Sequence, residues 1–144
     1  MANALEQLIL AEGPENIGAF FAEPVMGAGG AVIPPETYFH KVQEVLRRYE
    51  ILFVADEVIC GFGRTGKMFA VDHAKISPDI MCVGKALTGG LCGLAGTIVQ
   101  DFIYDSFLSD NVFDAFMHGP TYMANPLACS ASVASLDLFD IENR

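Results

Sequence analysis

Two short, unbroken apolar runs organise the chain. Ile51-Leu52-Phe53-Val54-Ala55 leads straight into Asp56-Glu57-Val58, and Ile80-Met81-Cys82-Val83 leads into Gly84-Lys85. Neither run alternates with polar residues, the pattern of strands buried on both faces of a parallel sheet. Residues 17–22 and 94–99 read as two further strands, the second returning after the Lys85 loop. Helical spacing fills the gaps. Residues 2–11 form one helix, stopped by Gly13-Pro14, and a second opens at Pro35 and carries Tyr38, Val42, Val45, Leu46 and Tyr49 along one stripe. Shorter helices are predicted over 68–74 and 101–108, and Asn125-Pro126 caps a last one running to about Phe139. Strand–helix–strand alternation of this kind predicts an α/β fold: a mostly parallel sheet with helices on both faces. No internal repeat, low-complexity tract or linker interrupts it.

Composition narrows the classes. The 144 residues are 52% hydrophobic, with 14 glycines, which suits a buried α/β sheet. Eighteen acids against eight bases give a net charge of −10. An acidic chain without a basic stripe is a poor nucleic-acid binder and is repelled by anionic lipid. No run approaches the ~20 apolar residues of a membrane span, and Met1-Ala2-Asn3-Ala4-Leu5-Glu6 lacks the basic start of a secretion signal. A cytoplasmic protein is the resulting expectation. Cys60, Cys82, Cys92 and Cys129 contain no C-x-x-C pair, and His40, His73 and His118 are scattered. No metal site is expected, and the cysteines read as buried small apolar residues.

The chemistry lies at the strand ends. In open α/β sheets the ligand crevice sits at the carboxyl ends of the strands, so Asp56 and Lys85 would face one crevice. Pyridoxal phosphate requires that pairing. A carboxylate keeps the ring nitrogen protonated, and a lysine amine holds the aldehyde as a Schiff base. Taken singly, an Asp-Glu pair after a strand is equally a turn or a cap, and a loop lysine is equally a solvated one. The glycines at 84, 89 and 90 add weight, because backbone beside them can approach a ligand closely.

Asp56-Glu57-Val58-Ile59-Cys60-Gly61-Phe62-Gly63-Arg64-Thr65-Gly66, with Pro78-Asp79-Ile80 and Gly84-Lys85-Ala86-Leu87-Thr88-Gly89-Gly90, resembles the class III (ω-type) pyridoxal-phosphate aminotransferases. The resemblance runs from about Leu5 to Phe139. It implies that the chain is the second half of the large cofactor-binding domain of a fold-type I transferase. The family's preceding segment and its carboxyl-terminal small domain would lie outside residues 1–144. Residues 84–90 and 116–129 are similar to the biotin-pathway branch, which moves an amino group from S-adenosylmethionine to 8-amino-7-oxononanoate. Glu23-Pro24-Val25-Met26-Gly27-Ala28-Gly29-Gly30 is also similar to general ω-amine transaminases, which use pyruvate or another oxo acid.

The resemblance implies roles residue by residue. Lys85 would be the catalytic amine and Schiff-base lysine. Asp56 would accept a hydrogen bond from the pyridine N–H, and Val58 would pack on one ring face. Pro120 and Thr121 would reach the cofactor phosphate of a second subunit, and Gly119 would lie beside the substrate. The active site would then belong to a homodimer acting on a small-molecule amino donor and an oxo acceptor. Glu23 would fall on the substrate side of the pocket, though an acid before proline also simply ends a strand. The family's own-subunit phosphate loop, its ring-stacking aromatic residue and its carboxylate-binding arginine are not among residues 1–144. The chain in isolation is therefore expected to be weakly active or inactive.

Two rivals stand beside this reading. Gly61-Phe62-Gly63-Arg64-Thr65-Gly66 satisfies G-x-G-x-x-G, and with Lys67 it nearly satisfies a P-loop, which would mean nucleotide binding. Met68 stands where Ser or Thr should hold magnesium, the strand ends too early, and no helix is predicted to open at Gly66. The other rival is a non-catalytic segment that serves only as a subunit interface.

Overall fold

The computed structural model describes residues 1–142. Four strands form one sheet in the order β1-β2-β3-β4: β1 (Ala19–Ala22), β2 (Leu52–Asp56), β3 (Ile80–Val83) and β4 (Gly96–Val99). The first three are parallel, and β4 returns antiparallel to β3. The expected mostly parallel α/β fold is the one observed.

One face of the sheet is closed by α1 (Ala2–Glu12) and α2 (Tyr38–Arg48). The stripe on α2 does what its spacing predicts. Val42, Val45 and Leu46 are buried against Ile51, Phe53 and Ala55, with Tyr38 and Tyr49 partly buried at the margins. Phe53 is central, with its ring 5.8 Å from Phe39 and 6.0 Å from Phe20. Phe39 also enters this core, three residues before Val42 on the same helical face, although the expected stripe did not include it. Gln43 on the same helix donates to Ser77 O, fastening α2 to the approach to β3.

Boundaries shift where local chemistry overrides periodicity. Residues 35–37 form a turn, and α2 begins only at Tyr38, whose N–H donates to Pro35 O. The helix predicted over 68–74 shrinks to one turn, α3 (Val71–Ala74), closed by Lys75 in a left-handed conformation at φ 51°. The helix predicted over 101–108 shortens to α4 (Asp101–Asp105). The cap at Asn125 stands as expected: its Oδ1 accepts from Leu127 N–H at 3.0 Å and Ala128 N–H at 3.3 Å, opening α5 (Pro126–Glu142).

The helix α5 packs on the turn after β3. Gly89 lies against Ser135, and Gly63 lies against the Phe139 ring, where an added Cβ would sit 3.3 Å from Cε1. The cysteines divide: Cys60 is buried, Cys82 and Cys129 are half-buried, and Cys92 is exposed, so the uniformly buried set expected from composition is corrected. Cys92 sits in the open glycine-flanked turn before β4, where no apolar layer covers it. Among the described residues no helix is long and apolar enough to cross a membrane, and no cluster of His, Cys, Asp and Glu could hold a metal ion.

Candidate active site at the carboxyl ends of β2 and β3

The register of the sheet brings the two candidate groups to one edge. Asp56 is the last residue of β2 and pairs with Cys82 of β3, which pairs in turn with Thr97 of β4. Paired residues on neighbouring strands project to the same face, so Asp56, Cys82 and Thr97 form one row. Burial pushes the Cys82 thiol upward, the Asp56 charge adds to the rise, and a hydrogen bond with Thr97 opposes it. Lys85 lies three residues past Cys82, just beyond the same edge.

Val58 connects the two ends. Its N–H donates to Asp56 Oδ1 at 3.0 Å, so the aspartate organises the turn that follows it. Its side chain rests against Gly84: a Cβ at residue 84 would meet Val58 Cγ1 at 3.5 Å and Leu94 O at 3.4 Å. The structure therefore joins Asp56, Val58 and the Gly84-Lys85 corner within one sheet edge. Lys85 is exposed and holds φ 44°, a left-handed backbone that costs a side-chain-bearing residue about 1–3 kcal/mol. Such strain is concentrated at functional turns. It persists here because the 3₁₀ turn of residues 85–88 is tied at both ends, Leu87 N–H to Gly84 O at 3.0 Å and Gly89 N–H to Ala86 O at 2.9 Å.

Other candidates lie apart. Gly119, Pro120 and Thr121 are exposed in the loop before Asn125, with Gly119 against the Met123 thioether. Among the described residues no hydrogen bond joins them to Asp56 or Lys85. Glu23 follows β1 and turns inward on its own loop, where Oε2 accepts from Gly27 N–H at 2.8 Å. The Gly61–Gly66 loop closes through Phe62 N–H to Met68 O at 2.7 Å, and the next helix opens only at Val71. Neither nucleotide-binding pattern finds its helix there. A cleft of about 500 Å³ lined by Val25, Pro34, Phe39, Thr65 and His73 lies beside this edge without including Asp56 or Lys85.

Reasoning from sequence missed Glu57. It is wholly buried, and its Oε1 accepts from Val71 N–H at 2.8 Å. The available signal was an acid directly after an apolar strand, which also describes an ordinary turn.

Residues 1–143 match the family model for Aminotransferase class-III. Vanillin aminotransferase of Capsicum chinense is 50% identical across 99% of this chain and 31% of its own length. Gamma aminobutyrate transaminase 2 of Solanum lycopersicum is 49% identical over the same shares. The chain thus spans about a third of the length of these curated relatives. Among solved structures, a Bacillus anthracis aminotransferase superposes with a TM-score of 0.95 at 34% identity, over 99% of this chain and 32% of that one. A thermostable (S)-enantioselective omega-transaminase from Thermomicrobium roseum gives 0.93 at 43% identity, over 99% and 31%. Three of these four relatives carry ω-transaminase, vanillin or aminobutyrate names, and none carries the biotin-branch reaction suggested by residues 84–90 and 116–129.

Proposed function

The chain belongs to the class-III aminotransferases, and from that premise we propose that it carries the lysine and the ring-nitrogen anion of an ω-amine or ω-amino acid transaminase. The family depends on pyridoxal 5'-phosphate, which when bound supplies an aldehyde that captures amines and a protonated ring that takes up electron density. The residues at this edge fit that group: a carboxylate at one strand end, an amine past the next, and an apolar side chain between them.

Asp56 would hold the ring N–H, and its opposite charge would keep that nitrogen protonated. Val58 would exclude water from one ring face. Lys85 would hold the aldehyde end through its Nζ and would serve as the amine that carries a proton to and from the substrate carbon. Pro120 and Thr121 serve the phosphate of a second subunit, with Gly119 leaving room for substrate, which makes the working unit a homodimer. Their exposure and their distance in sequence from the strand ends are compatible with that role.

The observation that carries the reading is the shared edge of Asp56, at the end of β2, and Lys85, two residues past the end of the adjacent parallel strand β3. The relatives' names favour one amine–carbonyl pair whose reacting carbon bears no carboxylate, since the amine of aminobutyrate is terminal and vanillin is an aldehyde. An oxo acid such as pyruvate is the second substrate. In full-length protein, Lys85→Ala should remove the lysine-dependent cofactor absorbance and lower turnover by at least about 10²–10⁴-fold, the usual weight of a positioned proton carrier. Retained absorbance in that variant would reject the role of Lys85. Turnover with S-adenosylmethionine but with neither aminobutyrate nor vanillylamine would return the protein to the biotin branch.

A further inference from the structure

Asp56 is followed by a side chain that points into the protein. Glu57 is 0% exposed, and its polar groups fasten three pieces of structure at once. Its N–H donates to Cys82 O at 2.9 Å, its carbonyl accepts from Gly61 N–H at 2.8 Å, and Oε1 accepts from the Val71 N–H that opens α3. The strand β3, the turn at Gly61 and α3 therefore all meet at the residue next to the candidate anion. Among the described residues Oε2 has no hydrogen-bond partner. An uncharged acid tolerates that placement far better than a carboxylate does. Burial accordingly pushes the Glu57 carboxyl upward, the Asp72 and Asp56 charges add to the rise, and the Val71 and Ala70 amides oppose it.

We propose that Glu57 is a positioning residue for the cofactor-binding anion: by holding the Val71 amide it locks the 61–70 loop and α3 to the end of β2, and so fixes how Asp56 is presented beside Lys85. The inference rests on the reading of Asp56 and Lys85 given above. A buried acid that served stability alone would move the melting temperature and leave cofactor properties unchanged.

The test uses full-length protein in apo and cofactor-loaded forms. In the apo protein, Glu57→Ala should speed hydrogen exchange at the Val71 amide by about tenfold or more, the loss of one buried hydrogen bond. In the loaded protein it should raise the dissociation constant for pyridoxal phosphate by a similar factor and move the pH midpoint of the lysine-dependent absorbance band. Glu57→Gln keeps an oxygen acceptor for Val71 and should restore all three readouts. Glu57→Met removes the acceptor while keeping the buried volume and should reproduce Glu57→Ala; it also decides the matter if Glu57→Ala does not fold. Faster exchange with an unmoved band and unchanged cofactor affinity would overturn the inference, as would a Gln variant as impaired as Ala. A wild-type protein with no lysine-dependent band would instead overturn the Asp56–Lys85 reading, and this inference with it.

Discussion

The sheet face covered by α1 and α2 and the segment that follows β4 are both rich in large apolar side chains, yet they treat them in opposite ways. In the first, Phe53 is 1% exposed and Val42 is fully buried. In the second, Phe113 is 91% exposed and Tyr122 is 85% exposed. The difference is one of periodicity. On α2, apolar residues recur at helical spacing and meet an apolar strand at the right distance, so one face closes. Between α4 and α5 the chain makes only turns and a single 3₁₀ segment, Val112–Asp114, and no regular element gathers its apolar groups onto one side. Apolar content supplies the driving force for burial, but a regular element must aim it. Contiguous exposed apolar surface of the second kind is typical of interaction surfaces.

The sharpest way to break this contrast is to truncate one ring in each region. Phe53→Ala in full-length protein should lower the unfolding free energy by about 3–5 kcal/mol, the usual cost of removing a core phenylalanine. Phe113→Ala, measured where the protein is monomeric, should change it by no more than about 0.5 kcal/mol. On the homodimer reading its effect appears as weaker association at higher concentration. Denaturant titrations at two protein concentrations check both. Equal costs for the two variants under monomeric conditions would erase the distinction.

A smaller effect comes from Glu57, the acid that joins the packed layer to the candidate site. Its carboxyl is raised above the ordinary value of 4.5, chiefly by burial. The folded protein therefore binds this proton more tightly than the unfolded chain does. The stabilisation is complete below the unfolded value and is lost as pH rises through the folded one. The charged neighbours facing the group are Asp56 from β2 and Asp72 from α3, and both act in the same direction. Wild type minus Glu57→Gln should show stability falling with rising pH above about pH 4.5, at about 1.4 kcal/mol for each unit of upward shift. A difference curve that is flat, or that rises, would mean that the fold does not raise the Glu57 carboxyl.

Much of this was legible in the sequence, for identifiable reasons. The unbroken runs ending at Asp56 and before Lys85 gave the parallel strands and the shared edge, because a strand buried on both faces cannot carry polar residues. Asn125-Pro126 announced α5 through its capping chemistry. Other features depended on contacts between distant parts of the chain. The shortening of the 68–74 helix to α3 follows from the Phe62 bond to Met68 O and the left-handed turn at Lys75, neither of which leaves a periodic trace. Glu57 was invisible for the same reason, since its partner Val71 lies 14 residues away. Phe39 was legible in principle, since it stands three residues before Val42 and seven before Leu46 on the same helical face.

The gentlest test concerns the best-anchored element of the open region. Asn125 Oδ1 accepts from two amides of the first turn of α5, and Cys129 N–H donates to Asn125 O at 2.9 Å. Asn125→Ala removes the side-chain acceptor and should cost about 1 kcal/mol, whereas Asn125→Gly should cost only a few tenths. The consequence is local before it is global. Ala128 is 5% exposed and Ser132 is 8% exposed, and Ser135 on the same helix rests against Gly89 beside the Lys85 turn. Fraying from Asn125 should therefore raise exchange at Leu127 and Ala128 first, and at the turn of residues 85–88 second. The Val71 amide, held by Glu57 in the packed layer, should stay protected. Exchange that rises at Val71 together with Leu127 would show that the two regions open as one cooperative unit, and the contrast between them would then be one of exposure alone.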